Sequence, residues 1–415
     1  MSALGNRAFR PLPSAAMTLR AVLPLAFALA LAACSGQSAV TTTEDSDRPT
    51  EPGVGSGELV ILDGNGDVVI INPDGTDGRA ITADTGDDAV YFQPIWSPDS
   101  THIAWGQIDS GGFGVGYRGV EEDDSTVVPM VDLPFYLYWA FDGESIGALH
   151  NGAAGLDLEL VDVASGTSTI LDSGTPFYFS WNPTGDGMVI HVGPDRFEMI
   201  TADGDRHLGG STSADYYVPQ WTDNGIVHVD EAALVVQSPE GARQEVVRVN
   251  GFTAFVVSPR GTSVAVQSIR TEEAIAFQNV EIETVPSNRL AVVDIETGEF
   301  EVVHEAPALA FFWSPNGESL LIFAPASPGD GLVALVWTLG TGMREYGNFV
   351  PSEPVARDLL PFFPQYAQSM SFWSPDSAAF AYPSVVNGTS SIWVQQLDQT
   401  TPQRVSQGSW VSWSR

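Results

Sequence analysis

Four aromatic pairs recur along the chain, each just ahead of a tryptophan: Tyr91-Phe92, Phe135-Tyr136, Phe177-Tyr178 and Tyr216-Tyr217. In each pair one ring stands four residues before the tryptophan: Phe92, Phe135, Phe177 and Tyr217 precede Trp96, Trp139, Trp181 and Trp221. Aromatic rings give large contact area at low entropic cost, which suits recognition of a sugar face or a protein hot spot. Later in the chain the equivalent positions hold Thr253, Leu309, Ser369 and Ser409, so the aromatic character is confined to one half. Packing between repeats explains any single ring but not that lopsidedness.

Acid–base and metal chemistry finds less support. The chain has six His. His150, His191 and His228 follow three successive tryptophans, but at unmatched offsets mixing odd with even, so they need not share one strand face. They read as structural histidines. The segment from Asp63 to Asp67 begins like a calcium loop. It has Val68 where that pattern wants Gly, lacks the distal bidentate Glu, and reads as a hairpin turn. There is no Gly-x-Ser-x-Gly elbow, no phosphate-binding glycine loop and no Cys pair. The sequence therefore points to no catalytic residue, no metal site and no cofactor.

The tryptophans themselves mark the elements that must position these residues. The phrase Trp-Ser-Pro-Asp is complete or nearly so at Trp96, Trp313 and Trp373, and decayed at Trp139, Trp181 and Trp221. Val257-Ser258-Pro259-Arg260-Gly261 has lost its Trp, and Trp413-Ser414-Arg415 breaks off. An apolar run precedes each copy and a β-rich segment follows it. The intervening Pro-Asp-Gly or Pro-Asp-Ser is turn chemistry. Steps near 40 residues filled with short strands predict an all-β β-propeller of four-stranded blades. The anchors at 96, 139, 181, 221, 257, 313, 373 and 413 predict eight blades over residues 58–415, about 45 residues each. Seven is the alternative, if Val257 is not a separate anchor. The three strands within residues 58–82 have no anchor, and the C-terminal run Ser409-Trp410-Val411-Ser412-Trp413 has nothing after it. Pairing the two would complete one blade and close the ring without free edges. If the strand before each anchor is innermost, the aromatic pairs form an arc at one rim of the channel. Insertions at 268–289 and 343–370 add length to two blades, the second expected across the ring from the arc.

These anchors resemble the repeats of TolB-type propellers, exported bacterial proteins that mediate protein–protein contacts at the cell envelope. The same repeat class builds the propellers of prolyl-oligopeptidase and dipeptidyl-peptidase-IV-like enzymes. The resemblance spans about 58–415 and implies a WD40-like fold. The chain has no room for TolB's N-terminal α/β domain and no C-terminal hydrolase domain, so no catalytic residue carries over from either family.

Ahead of the repeats, Met17-Thr18-Leu19-Arg20 is a basic start, Ala21 to Ala32 is a short apolar run, and Leu31-Ala32-Ala33-Cys34-Ser35 follows. This resembles a bacterial lipoprotein signal, with cleavage before Cys34, the lone cysteine, and lipidation of its thiol. Residues 1–33 are then the signal peptide, with Met17 as an alternative start, and 34–57 are the lipidated Cys and a polar, flexible tether.

The chain carries a net charge of −35, and with Arg7, Arg10 and Arg20 removed in the signal the mature chain stands at −38 (−35 minus 3). All its basic residues are Arg. Such a surface excludes nucleic acid as a natural partner. The expected protein is a lipid-anchored, extracytoplasmic, monomeric propeller that binds or scaffolds without catalysis, its partner an envelope protein or a glycan. A polysaccharide lyase or hydrolase with its site in the channel is the second reading. A sensor partnered with a membrane protein beside the anchor is the third.

Overall fold

The computed structural model describes residues 55–86, 89–194, 196–202, 204–208, 217–269 and 284–415. Cys34, the signal and most of the tether lie outside them, as do Tyr216 and residues 270–283 of the first insertion. Among the described residues no helix is long and apolar enough to cross a membrane.

Consecutive strands pair antiparallel into up-and-down sheets, as short strands joined by tight turns dictate. One sheet has six strands, ordered Ala379–Val386, Thr389–Gln396, Gln403–Trp413, Leu59–Asp63, Val68–Ile71 and Arg79–Ala80. It counts as the first, because it holds the earliest strand. The second to seventh sheets have four strands each and span residues 89–130, 136–174, 177–208, 220–248, 252–304 and 310–349.

The fold is thus the expected all-β propeller, with one correction. Counted as hydrogen-bonded sheets it has seven blades, not eight. Val257 is not the reason, because Phe252–Val257 begins a sheet of its own. The reduction comes from the eleven-residue strand Gln403–Trp413, which runs unbroken across two blade positions. Its first half pairs with Thr389–Gln396, Ser391 opposite Gln407. Its second half pairs with Leu59–Asp63, Leu59 opposite Trp413 and Leu62 opposite Trp410. Eight anchors therefore serve seven sheets. The closure between chain ends is as expected, and it also ties down Gly55 to Gly57, where the tether ends. The Trp413 indole donates to Ser56 O (3.0 Å), and Ser56 N donates to Asp376 Oδ2 (3.0 Å).

The anchor phrase has a repeated job. The indole N–H of Trp96 donates to Ser412 O, Trp181 to Tyr138 O, Trp313 to Val256 O and Trp373 to Phe312 O, at 2.9–3.2 Å. In every case the acceptor is the residue just before the preceding anchor. These four buried indoles thus each lock one inner strand to its neighbour, whereas the buried Trp139 indole makes no such bond. The serine after it holds the turn: Ser97 Oγ accepts from His102 N (2.9 Å), and Ser314 Oγ from Ser319 N (2.9 Å). Four residues after the anchor the backbone turns left-handed, with Gly317 at φ 69° and Ser377 at φ 59°. Gly has no steric penalty there, and Ser accepts one.

Candidate functional site

The second insertion decides what the centre of the ring looks like. After the seventh sheet the chain makes one π-helical turn at Val355–Leu359, a 3-10 turn at Leu360–Phe362 and a short α-helix at Phe363–Ser369. Its apolar residues must be buried somewhere. The helix packs against the inner strands Tyr136–Trp139, Phe177–Trp181, Phe252–Val257 and Ala310–Trp313, which belong to four different sheets. It therefore sits inside the ring as a plug. The sequence places this insertion across from the aromatic arc; the structure corrects that, because the arc is one of the surfaces it packs on.

Polar bonds fix the plug. Gln365 reads the backbone of an inner strand: its Nε2 donates to Phe179 O (2.6 Å) and Tyr136 Oη (3.0 Å), and its Oε1 accepts from Phe179 N (3.3 Å). The Tyr136 hydroxyl donates to Gln365 O (3.0 Å). The Tyr366 hydroxyl lies 2.8 Å from Phe135 O and 2.9 Å from Gln93 Oε1. Gln93 is held at φ 47°, where the strand Ala89–Trp96 bulges. A non-glycine residue there is strained and needs such contacts to persist. Tyr366 also meets Tyr136 edge-on at 5.1 Å, and Phe363 meets Phe311 at 4.7 Å. Burial pushes the hydroxyls of Tyr136 and Tyr366 far above the usual tyrosine range, so both stay neutral donors.

The arc residues divide around this plug. Tyr136 is buried against it, and Phe177 and Tyr217 are also buried. Tyr91 is buried with its hydroxyl on Asp84. Phe92 and Tyr178 are half-buried, and Phe135 is exposed at 36%. The arc is thus part packing surface and part rim. Sequence reasoning missed Gln365, Tyr366 and Gln93. Only the apolar character of the insertion could have signalled that it packs on something.

The histidines sit apart from the plug. His150 is fully buried, its Nε2 2.8 Å from Glu159 Oε2. His191 and His228 come together with Tyr217 and Phe197 between the fourth and fifth sheets: His191 packs tilted against Tyr217 at 4.5 Å and His228 against Phe197 at 4.6 Å. His191 Nδ1 lies 2.9 Å from Tyr217 O. Burial, seconded by nearby Arg243, lowers His228 to about 4, and burial lowers His191 as well. Both are neutral packing residues at neutral pH. Among the described residues no three His, Cys, Asp or Glu side chains converge as a metal site.

No protein-family description matches the chain, and no curated protein does. Solved structures do match. An oligogalacturonate lyase in complex with manganese superposes with TM-score 0.54 at 13% identity, covering 83% of this chain and 99% of that one. The oligogalacturonate lyase of Vibrio parahaemolyticus gives 0.53 at 12% identity, covering 84% and 96%. TolB from Acinetobacter baumannii gives 0.42 at 10%, covering 84% and 78%. At such identities the likeness is one of fold.

Proposed function

We propose that this chain is a lipid-anchored, extracytoplasmic propeller that serves as a non-catalytic binding or scaffolding module at a bacterial cell envelope, recognising an envelope protein or a glycan. The observation that carries this reading is the plug. The ring interior, where a propeller enzyme would seat its substrate, is filled by the chain's own Phe363–Ser369. Phe135 is exposed and Phe92 and Tyr178 are half-buried, so these rings of the arc keep surface that a partner can reach. In this proposal the arc Phe92, Phe135, Phe177 and Tyr217, with Tyr91, Tyr136, Tyr178 and Tyr216, borders the partner surface, its buried members supporting its exposed ones. The lipid on Cys34 holds the domain at the membrane. The second reading, a lyase acting on a polysaccharide, is favoured only by the fold shared with the oligogalacturonate lyases.

Fractionation and turnover together test the proposal. In a host with lipoprotein processing, the wild type should take up labelled palmitate and sediment with salt-washed membranes, while Cys34→Ser should do neither. The purified protein should not cleave galacturonate oligomers. A Cys34→Ser protein that stays membrane-bound sinks the anchor. Steady release of unsaturated product sinks the non-catalytic reading.

A further inference from the structure

Trp221 departs from the pattern of the other anchors. The other six anchor tryptophans are at most 9% exposed, but Trp221 is half-buried. Its backbone N–H is tied to Ser180 Oγ (2.9 Å), and its indole, like that of the buried Trp139, makes none of the bonds to the preceding strand that lock Trp96, Trp181, Trp313 and Trp373. The ring instead walls a cavity of about 470 Å³ between the fourth and fifth sheets, at the turn end of the inner strands. Met199 and Ile200 supply apolar lining, and Asp186, Glu240 and His207 are among the polar residues on the same wall.

Charge decides what fits. The arginines of these two sheets are engaged elsewhere: Arg196 and Arg206 on Asp172 and Glu198, Arg243 on Asp230, and Arg248 on Glu245. Asp186 accepts from Asn182 Nδ2 (2.7 Å) and the Thr184 hydroxyl (2.6 Å), which hold its carboxyl below the usual range. A hydrogen bond from Ser238 does the same for Glu240. Two acidic residues, with no arginine among the lining residues and His207 as a further titratable group, therefore border a cavity that Trp221 also lines. An anionic sugar would be repelled. A cation gains twice, from the carboxylates and from the ring quadrupole.

We propose that the Trp221 cavity binds an organic cation, a protonated amine or guanidinium, seated on the indole and paired with Asp186 and Glu240. The cavity lies within the size range of small-ligand sites. The group could arrive as a free small molecule or as an Arg or Lys side chain of a peptide. This site is distinct from the aromatic arc, and its failure would leave the envelope-binding reading standing.

Calorimetry on the full chain tests it, with agmatine, a capped Arg-containing peptide, methyl β-glucoside and galacturonic acid as probes. At least one of the two cations should bind saturably, more weakly as salt rises, and more tightly than the neutral and anionic sugars. Agmatine binding marks a free small molecule as the source, and peptide binding without agmatine binding marks a protein. Trp221→Leu should weaken binding about tenfold. Glu240→Gln, at an exposed position that threatens no core packing, should weaken it about threefold or more. Absence of binding by both cations overturns the proposal. So does tighter binding of either sugar, or an affinity that Glu240→Gln leaves unchanged.

Discussion

Single residues show why some of this protein could be read from its sequence and some could not. An anchor tryptophan has one donor and a fixed offset to the preceding strand, so a local phrase encodes a non-local bond. His191 and His228 carry no such mark. Their meeting depends on how the fourth and fifth sheets face each other, and the sequence shows only their unmatched offsets. The histidines nevertheless have a measurable consequence. His228 is held near 4 in the fold against about 6.5 when free. Below pH 6.5 the unfolded chain takes up a proton that the folded chain refuses, so stability falls as pH drops from 6.5 towards 4. The loss is on the order of 3 kcal/mol. Protonating the many surface carboxylates relieves repulsion and opposes this fall, so the difference between proteins is the useful measure. Urea unfolding at pH 7 and pH 4.5 should show a smaller acid loss in His228→Gln than in the wild type. Equal losses would remove His228 as the cause.

At the scale of elements, the strands were legible and the plug was not. Strand ends follow from turn chemistry, as at Asp63, whose Oδ1 accepts from Asn65 N (2.8 Å) and Asp67 N (3.0 Å). The insertion carries apolar residues such as Phe363 that end up buried, while Phe362 stays exposed, and composition does not say in which direction a loop folds. The structure shows that the answer rests on Gln365, whose amide stands in for a missing strand beside Phe179. Replacing it by Leu keeps the bulk and leaves the Phe179 N–H and C=O unpaired in a buried site. We expect Gln365→Leu to lower stability by about 3 kcal/mol, read as a shift in the urea midpoint with the slope unchanged. A midpoint within error of the wild type would mean that the plug is held by its apolar contacts alone.

At the scale of the molecule, closure was visible in the sequence because three strands without an anchor and one anchor without strands complement each other. The sheet count was misjudged because Gln403 to Trp413 continues as one strand, shifting register near Gly408 without ending there. Deleting residues 407–415 removes Trp410 and Trp413, both fully buried, and the Ser412 carbonyl that Trp96 uses. Two edges are then left unpaired. The truncated protein should aggregate or melt several degrees lower, whereas a melt within a degree or two of the full chain would rule out the clasp as a main support. The same shared strand sets an order of events during synthesis. Leu59–Asp63 is made about 340 residues before its partner begins at Gln403 (403 minus 63). At ribosomal speeds that is roughly 20–70 s during which this apolar strand is paired on one side only, with Val68–Ile71. Over that interval the growing chain is an open arc, and any factor that shields the first hairpin from other nascent chains governs the yield of the finished ring.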